Sequence, residues 1–465
     1  MKIRFLIANA YAVGGTIKTT YNTAGELAKR HDVEIVSVYR SREEPAFTVP
    51  PGVTLRFLTD QSETGLAALR DATGPMAHVR QSIHGWATSQ PSRLIHPRDF
   101  RYPFFNIVTD LRLLRYIRSV HDGVLIGTRA GLNLAIARFA RPSVVRIGQE
   151  HLNLSKYRAE LREAYKEYYP RLDVYAALTE GDAKAFRRLL GKRARVVCVP
   201  NGVPDVGAVR SDVDSRVVIA AGRLGPQKGF DRLIPAWAKV VAQHPDWELR
   251  IFGEGSSFGA LCEQIEMLGV ADSVSIRGFT DRLTEEMAQA SFYVMTSRFE
   301  GFPMVLLEAM GCGLPVVSFD CRNGPRDLIT NGVDGLVVPN GDIDALADAI
   351  SRVIDLGEGR GSWGEAALAK AEQYATPTIA ARWDELISGL VAAKTSSPDG
   401  QRGEGRSIPS PVPRVDACGG GLRSRYRQLV PPRWRRSVRA VLSSVRTADR
   451  NVRTAVRRDP QAGGW

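Results

Sequence analysis

The sequence predicts an α/β protein of two parallel sheets, each covered by helices and joined by a hinge. Three observations predict it. The chain has 465 residues, 44% of them hydrophobic, too long for one ordinary core and ample for two. Short β-branched runs alternate with stretches of helical spacing along most of its length. Near the middle a cluster of turn formers, Val199-Pro200-Asn201-Gly202-Val203-Pro204, interrupts that alternation.

The first series of runs is Ile3 to Ala8, Val33 to Tyr39, Val53 to Leu58, Val124 to Gly127, Val144 to Ile147, Val174 to Leu178 and Val196 to Val199. Each is short enough to be a buried strand, and helical spacing lies between them at Thr19 to Lys29, Leu111 to Ser119 and Gly181 to Leu190. The second series is Val217 to Ala221, Glu248 to Phe252, Val274 to Ile276, Phe292 to Met295, Pro315 to Phe319 and Gly335 to Val338. These predict Rossmann-like domains over 1–200 and 216–375, with a hinge over 201–215 between them. Helical spacing from Pro377 to Ala393 predicts a further helix over 376–395. A stretch rich in Gly, Pro and Ser predicts a flexible linker over 396–432. In 433–458 Val438, Val441, Leu442, Val445, Ala448, Val452 and Val456 recur in steps of three and four among arginines, which predicts a basic amphipathic helix.

The net charge of +13 suggests a nucleic-acid partner until it is located. Residues 401–465 hold 15 Arg, no Lys and 4 acids, so this tail alone is +11, and positions 1–400 carry 48 basic against 46 acidic residues. An electrostatic partner therefore concerns the tail. Against nucleic acid, one face of the tail helix is Val and Leu, which suits the anionic inner face of a membrane at roughly 1 kcal/mol per Arg; a charged disordered end would also account for the arginines. Five widely spaced cysteines, Cys198, Cys262, Cys312, Cys321 and Cys418, include no CxxC pair and read as reduced thiols. Met1 to Ala12 is broken by Arg4 and Asn9, unlike a secretory signal, and no window approaches ~20 consecutive apolar residues. The expected place is the cytoplasm, peripheral at the inner face of the cell membrane.

Two loops carry candidate chemistry. After Val217 to Ala221 comes Gly222-Arg223-Leu224-Gly225-Pro226-Gln227-Lys228-Gly229, a glycine-rich turn whose two cations can converge on one diphosphate where open α/β sheets bind ligands. After Phe292 to Met295 comes Thr296-Ser297-Arg298-Phe299-Glu300-Gly301-Phe302-Pro303-Met304-Val305-Leu306-Leu307-Glu308. Pro303 suits the first turn of a helix whose free amides would face phosphates. Glu308 then lies ~7.5 Å further along the axis. Carboxylates beside a diphosphate suit neutral hydroxyls. Asp342-Ile343-Asp344 reads as a helix cap rather than a metal site, and Asp212-Val213-Asp214 falls in the hinge. Gly253-Glu254-Gly255 lacks the third glycine of a dinucleotide fingerprint, because Phe258 stands there. Neither an essential metal nor a cofactor is expected.

Over residues 1–395 the chain resembles retaining glycosyltransferases of the GT-B fold, family four. The resemblance is carried by the glycine-rich turn with Arg223 and Lys228, by Glu300 and Glu308 with seven residues between them, by Gly253-Glu254-Gly255, and by Val199 to Val203. The family fold is two Rossmann-like domains facing across a cleft, the first on the acceptor side and the second holding the donor. The resemblance implies that Arg223 and Lys228 bind the donor diphosphate, Glu300 the sugar hydroxyls and Glu308 the ribose. Gly301, Phe302, Pro303, Met304 and Val305 would touch sugar and phosphate, and Gly278 and Phe279 the base. His151 is a catalytic candidate beside the sugar. Gly14, Gly15 and Thr16, opening a helix after the first strand, would approach the phosphates and acceptor, with Lys18 a candidate to meet an anionic acceptor and Arg129, after another strand, a further candidate of the same type as His151 on the phosphate and acceptor side.

The expected function is metal-independent transfer of a hexose-type sugar, with retention, from a nucleotide-diphosphate donor to a hydroxyl of a cell-envelope, polysaccharide or lipid-linked acceptor. The first half is also similar to bacterial enzymes that decorate poly(glycerol-phosphate) chains. The long stretch Gln61 to Arg112 has room to shape the acceptor site. Alternatives are a nucleotide-sugar epimerase or a phosphorylase of the same fold, or nucleic-acid binding through the tail; near-neutrality of residues 1–400 speaks against nucleic acid as a partner of the core.

Overall fold

A computed structural model describes residues 1–396, apart from 72, 74–76, 205–208, 213 and 322–323. The expected linker beyond residue 396, the amphipathic helix over 433–458 and Cys418 lie outside the described residues, as does part of the 201–215 hinge.

The first sheet has seven strands: β1 (Lys2–Ile7), β2 (Asp32–Arg40), β3 (Val53–Asp60), β4 (Val124–Gly127), β5 (Val145–Gln149), β6 (Val174–Ala177) and β7 (Val196–Cys198). Their spatial order is β3-β2-β1-β4-β5-β6-β7, and all pairs are parallel, with Ile3 beside Val33 on one side and Val124 on the other. The second sheet holds β8 (Val217–Ala221), β9 (Glu248–Phe252), β10 (Val274–Gly278), β11 (Phe292–Met295), β12 (Val316–Phe319) and β13 (Gly335–Val338), in the order β10-β9-β8-β11-β12-β13. Thirteen strands thus stand where the sequence places them, with ends shifted by up to two residues. Continuous burial explains why: in β2 the seven residues Val33 to Tyr39 are all buried, as parallel strands covered on both faces require.

Both sheets reverse their winding beside their first strand, between β1 and β4 and between β8 and β11. Open α/β sheets leave a crevice at such a point, beyond the carboxyl ends of the strands. Each sheet is sandwiched by two apolar clusters. One face of the first sheet packs Leu6, Val36 and Leu125 with Phe186, and the other packs Phe5, Ile35 and Val124 with Tyr21. That second cluster also takes Ile379, Trp383, Ile387 and Leu390, all from the helix Thr376–Ser396. The chain therefore returns, after completing the second sheet, to cover the first. Both sheets belong to one compact unit, Met1–Asp71 with Gly85–Gly403. A second unit, Ala72–His84 with 404–465, lies mostly outside the described residues.

Candidate active site

The second sheet builds its half of the site by lacing the tips of its strands together through backbone. Gly222 N–H donates to Phe252 O at 2.9 Å, Leu224 N–H to Glu254 O at 2.9 Å, and Gly253 N–H to Gly278 O at 2.7 Å. Gly253 holds φ at 147°, and a side-chain carbon there would stand 1.9 Å from Gly222 O. Only glycine fits that approach. The loop after β11 is tied to the loop after β8: Arg298 N–H donates to Gln227 O at 2.8 Å, Gln227 Nε2 to Phe299 O at 3.1 Å, and Thr296 Oγ1 to Lys228 O at 3.0 Å. Arg298 also forks onto Asp231, 2.8 and 2.6 Å away. The two loops at the switch point are thereby one rigid body.

On that base Lys228 Nζ lies 2.7 Å from Glu300 Oε1, and Ser297 Oγ donates to the same oxygen at 2.6 Å. Glu300 is buried. Arg223 is exposed and makes no ion pair among the described residues. The helix Met304–Gly311 starts one residue later than the sequence reading places it: Pro303 occupies the cap position and no side chain caps the helix. Phe302 is buried with its ring 6.2 Å from that of Tyr374, while Met304 and Val305 pack partly into the apolar cluster beneath. Gly278, at φ 75°, ends β10, and the neighbouring Phe279 is exposed.

The first sheet meets this surface at three places. Lys18, in the helix Gly15–Ala28, puts Nζ 3.2 Å from Glu308 Oε1. The start of that helix is uncapped at Gly14, and a side-chain carbon on Gly15 would meet no protein atom within 4 Å. Thr16 accepts the Thr20 hydroxyl through its carbonyl. The loop after β5 touches the loop after β11, since a carbon on Gly301 would stand 2.4 Å from His151 O, and Asn153 Nδ2 donates to Glu300 O at 3.1 Å. Lys156 Nζ sits 3.0 Å from the centre of the Phe299 ring.

His151 is half-buried, yet its Nε2 is sealed from solvent without a hydrogen-bond partner. Burial, reinforced by the Arg129 charge, pulls its pKa down to about 3. Its neighbour Glu150 is buried among Tyr157 Oη at 2.5 Å, Tyr169 Oη at 2.7 Å and Asn133 Nδ2 at 3.3 Å. Burial pushes Glu150 up to about 7. Arg129 follows β4 at the N-cap position of the helix Ala130–Phe139, which its side chain does not cap, with Nη1 3.7 Å from Asp99 Oδ1.

The structure brings Glu300 to Lys228, Glu308 to Lys18 and Gly301 to His151, while Arg223 and Phe279 stand apart from these contacts. Sequence reasoning gave the lysines and carboxylates separate tasks and did not anticipate their pairing. Ser297 lay within the quoted loop without a role. Asn153 and Asp99 carried no signal, since their partners Glu300 and Arg129 lie 147 and 30 residues away in sequence. Among the described residues no three His, Cys, Asp or Glu side chains gather as a metal site needs, Asp342 caps its helix by accepting Ala345 N–H, and Cys198, Cys262, Cys312 and Cys321 are free. No helix among them is long and apolar enough to cross a membrane.

Residues 206–370 match the family described as glycosyl transferases group 1. Over 396 residues the chain is 36% identical to an exopolysaccharide phosphotransferase of Streptomyces coelicolor, covering 85% of this chain and 41% of that protein. It is 28% identical over 272 residues to the poly(glycerol-phosphate) alpha-glucosyltransferase of Bacillus subtilis, covering 57% of this chain and 40% of that protein. The chain spans about two-fifths of the length of these two curated relatives. Among solved structures, TarM of S. aureus, in complex with fondaparinux, alpha-GlcNAc-glycerol and UDP, superposes with a TM-score of 0.64 at 15% identity, over 83% of this chain and 99% of that one. HepE of Anabaena, in complex with UDP and glucose, superposes with a TM-score of 0.62 at 20% identity, over 84% and 100%. Two parallel α/β sheets of this order, matched across nearly the whole of those chains, are the GT-B fold, and residues 206–370 within it are similar to the glycosyl transferases group 1 family.

Proposed function

We propose that the chain transfers a hexose-type sugar from a nucleotide-diphosphate donor to a hydroxyl of a cell-envelope polymer, polysaccharide or lipid-linked acceptor. The observation that carries this reading is the pair of carboxylates, Glu300 and Glu308, each held by a lysine beside an uncapped helix start at the switch point of the second sheet. A departing diphosphate needs cations and helix amides to take up its charge. Arg223, Lys228 and the amides after Pro303 supply them, and the reaction needs no essential metal. The names of the B. subtilis relative and the UDP complexes of TarM and HepE support a nucleotide sugar and a wall-type acceptor.

In this mechanism Glu300 exchanges Lys228 for sugar hydroxyls and frees the lysine for the diphosphate, while Glu308 exchanges Lys18 for the ribose. The acceptor oxygen bonds to the anomeric carbon on the face from which the diphosphate departs. The bond to the phosphate oxygen breaks, and that oxygen receives the acceptor proton, so the configuration is retained. His151, kept neutral by burial, donates or accepts one hydrogen bond without adding charge.

The test is a panel of UDP-, GDP- and other nucleotide sugars. Release of nucleoside diphosphate from one of them, undiminished by a chelator and with a retained anomeric centre by NMR, is the expected result; no release from any donor sinks the reading. The S. coelicolor relative's name favours a second reading, phosphotransfer, which would release nucleoside monophosphate instead. The +11 charge of 401–465 supports attachment of residues 433–458 to an anionic membrane face. Flotation with anionic liposomes should be lost on removing 422–458.

A further inference from the structure

The carboxyl edge of the first sheet carries arginines and aromatic rings in alternation, leading away from His151. Arg129 is the first. Its Nη1 is sealed from solvent and makes no hydrogen bond, and the nearest carboxylate, Asp99, is already engaged with the chain: Oδ2 accepts Gly131 N–H at 2.7 Å and Oδ1 accepts Arg101 N–H at 2.8 Å. The Arg101 guanidinium follows, 5.4 Å from the Phe104 ring centre and 5.9 Å from that of Phe100, with no ion pair among the described residues. Phe104 stacks on Tyr39 at 6.1 Å. Arg40, next in β2, lies 4.1 Å over the Phe57 ring, whose edge meets Tyr11 in the loop before Gly14.

Phe100, Phe104 and Phe57 are 74%, 48% and 36% exposed. One exposed ring needs no explanation, but a row of them, each matched to a guanidinium, marks a recognition surface. The charge of the strip is only partly neutralised. The stretch Gln61 to Arg112 holds six Arg and four acids, and Asp110 is turned inward like Asp99, accepting Arg93 and Leu94 N–H at 2.6 and 3.0 Å. Of the strip's arginines Arg40 pairs with Asp60 at 2.5 Å and Arg129 with Asp99 at 3.7 Å, and Arg101 makes no ion pair among the described residues. Guanidinium forks suit phosphate oxygens, and ring faces offer apolar area to the carbon skeleton between them. A neutral chain would leave the guanidinium of Arg101 unanswered. A membrane surface would favour rings and cations on separate faces rather than alternating in one row.

We infer that this strip is the track for an acceptor polymer of phosphodiester-linked units, its guanidinium groups holding successive phosphates and its rings the segments between, with the reacting hydroxyl delivered past His151. The inference rests on the glycosyl-transfer reading and specifies its acceptor.

The test is hydrogen exchange on the full chain with a synthetic poly(glycerol phosphate) oligomer and, separately, a neutral dextran of equal length, neither needing a donor. The anionic oligomer should slow exchange in peptides covering 98–106 and 37–42, and dextran should not. Arg101→Ala combined with Phe104→Ala should raise the oligomer concentration giving half-protection there by about tenfold, with β4 and β5 exchanging as in the parent. Arg101→Lys, which keeps the charge but not the fork, should fall between the two. Protection confined to 401–465, equal protection by dextran, or an unchanged concentration dependence in the double variant would overturn the track. A chain that shows this footprint but releases no nucleotide from any sugar donor would refute the reaction and leave the track standing.

Discussion

Glu300 is a buried carboxylate whose charge is met by Lys228 and whose shape is met by Ser297. Removing one partner of such a pair strands the other. Lys228→Ala is therefore expected to cost about 1–3 kcal/mol in denaturant unfolding. Glu300→Gln keeps the size of the side chain and should stay within about 1 kcal/mol of the parent while lowering turnover at least about 100-fold; parallel losses of stability and turnover would reduce Glu300 to a structural role. Glu150 and His151 predict an opposed pair of pH effects. Glu150 is raised from 4.5 to about 7, so the native state holds a proton the unfolded chain has released, and stability falls as pH rises across that interval. His151 is lowered from 6.5 to about 3, so stability rises with pH across its own interval. Between 4.5 and 6.5 the two contributions cancel. Glu150→Gln should expose the histidine alone, as a gain of about 2 kcal/mol from pH 4.5 to 6.5 in unfolding free energy. The carboxylate spacing was legible because it lies within one loop and helix; Lys18 and Glu308, 290 residues apart, meet only through the fold.

At the level of elements, the strands were legible because parallel strands buried on both faces are largely apolar along their length. The stretch Gln61 to Arg112 was legible only as an insertion. It contains the helices Glu63–Arg70 and Ala77–Ser89 and the start of Ile107–Ser119; Leu66 and Trp86 on the first two are exposed, whereas the third buries Leu113, Tyr116 and Ile117 at helical spacing, and its spacing alone was legible. The loop-to-loop fits were equally hidden, because a glycine in sequence does not say what it approaches. Gly301→Ala should press on the His151 carbonyl and part the loops after β5 and β11. The expected result is loss of turnover by at least about tenfold with the melting point moved by only a few degrees. Gly253→Ala, forced against Gly222 O at a left-handed φ, should instead lower stability by more than about 1 kcal/mol.

For the whole molecule, the helix Thr376–Ser396 was legible from its periodicity, but its destination was not, since a stripe of Ile379, Trp383, Ile387 and Leu390 fits either sheet equally well. It goes to the first, and Lys394 fastens it there, 2.9 Å from Asp173 at the start of β6. Trp383→Ala should therefore cost about 3–5 kcal/mol, read as early loss of protection in β1, β2 and β4 rather than in β8 to β13 by hydrogen exchange. The same helix sets an order of events during synthesis. Chains emerge from the ribosome amino end first and domains condense as they appear, so the first sheet is made early with one face covered by the helix Gly15–Ala28 but not yet by Thr376–Ser396. It waits through translation of the whole second sheet for the rest of that cover. Until then the part of that face that takes Ile379, Trp383, Ile387 and Leu390 stays open, and the half of the molecule completed last is the half whose strands came first.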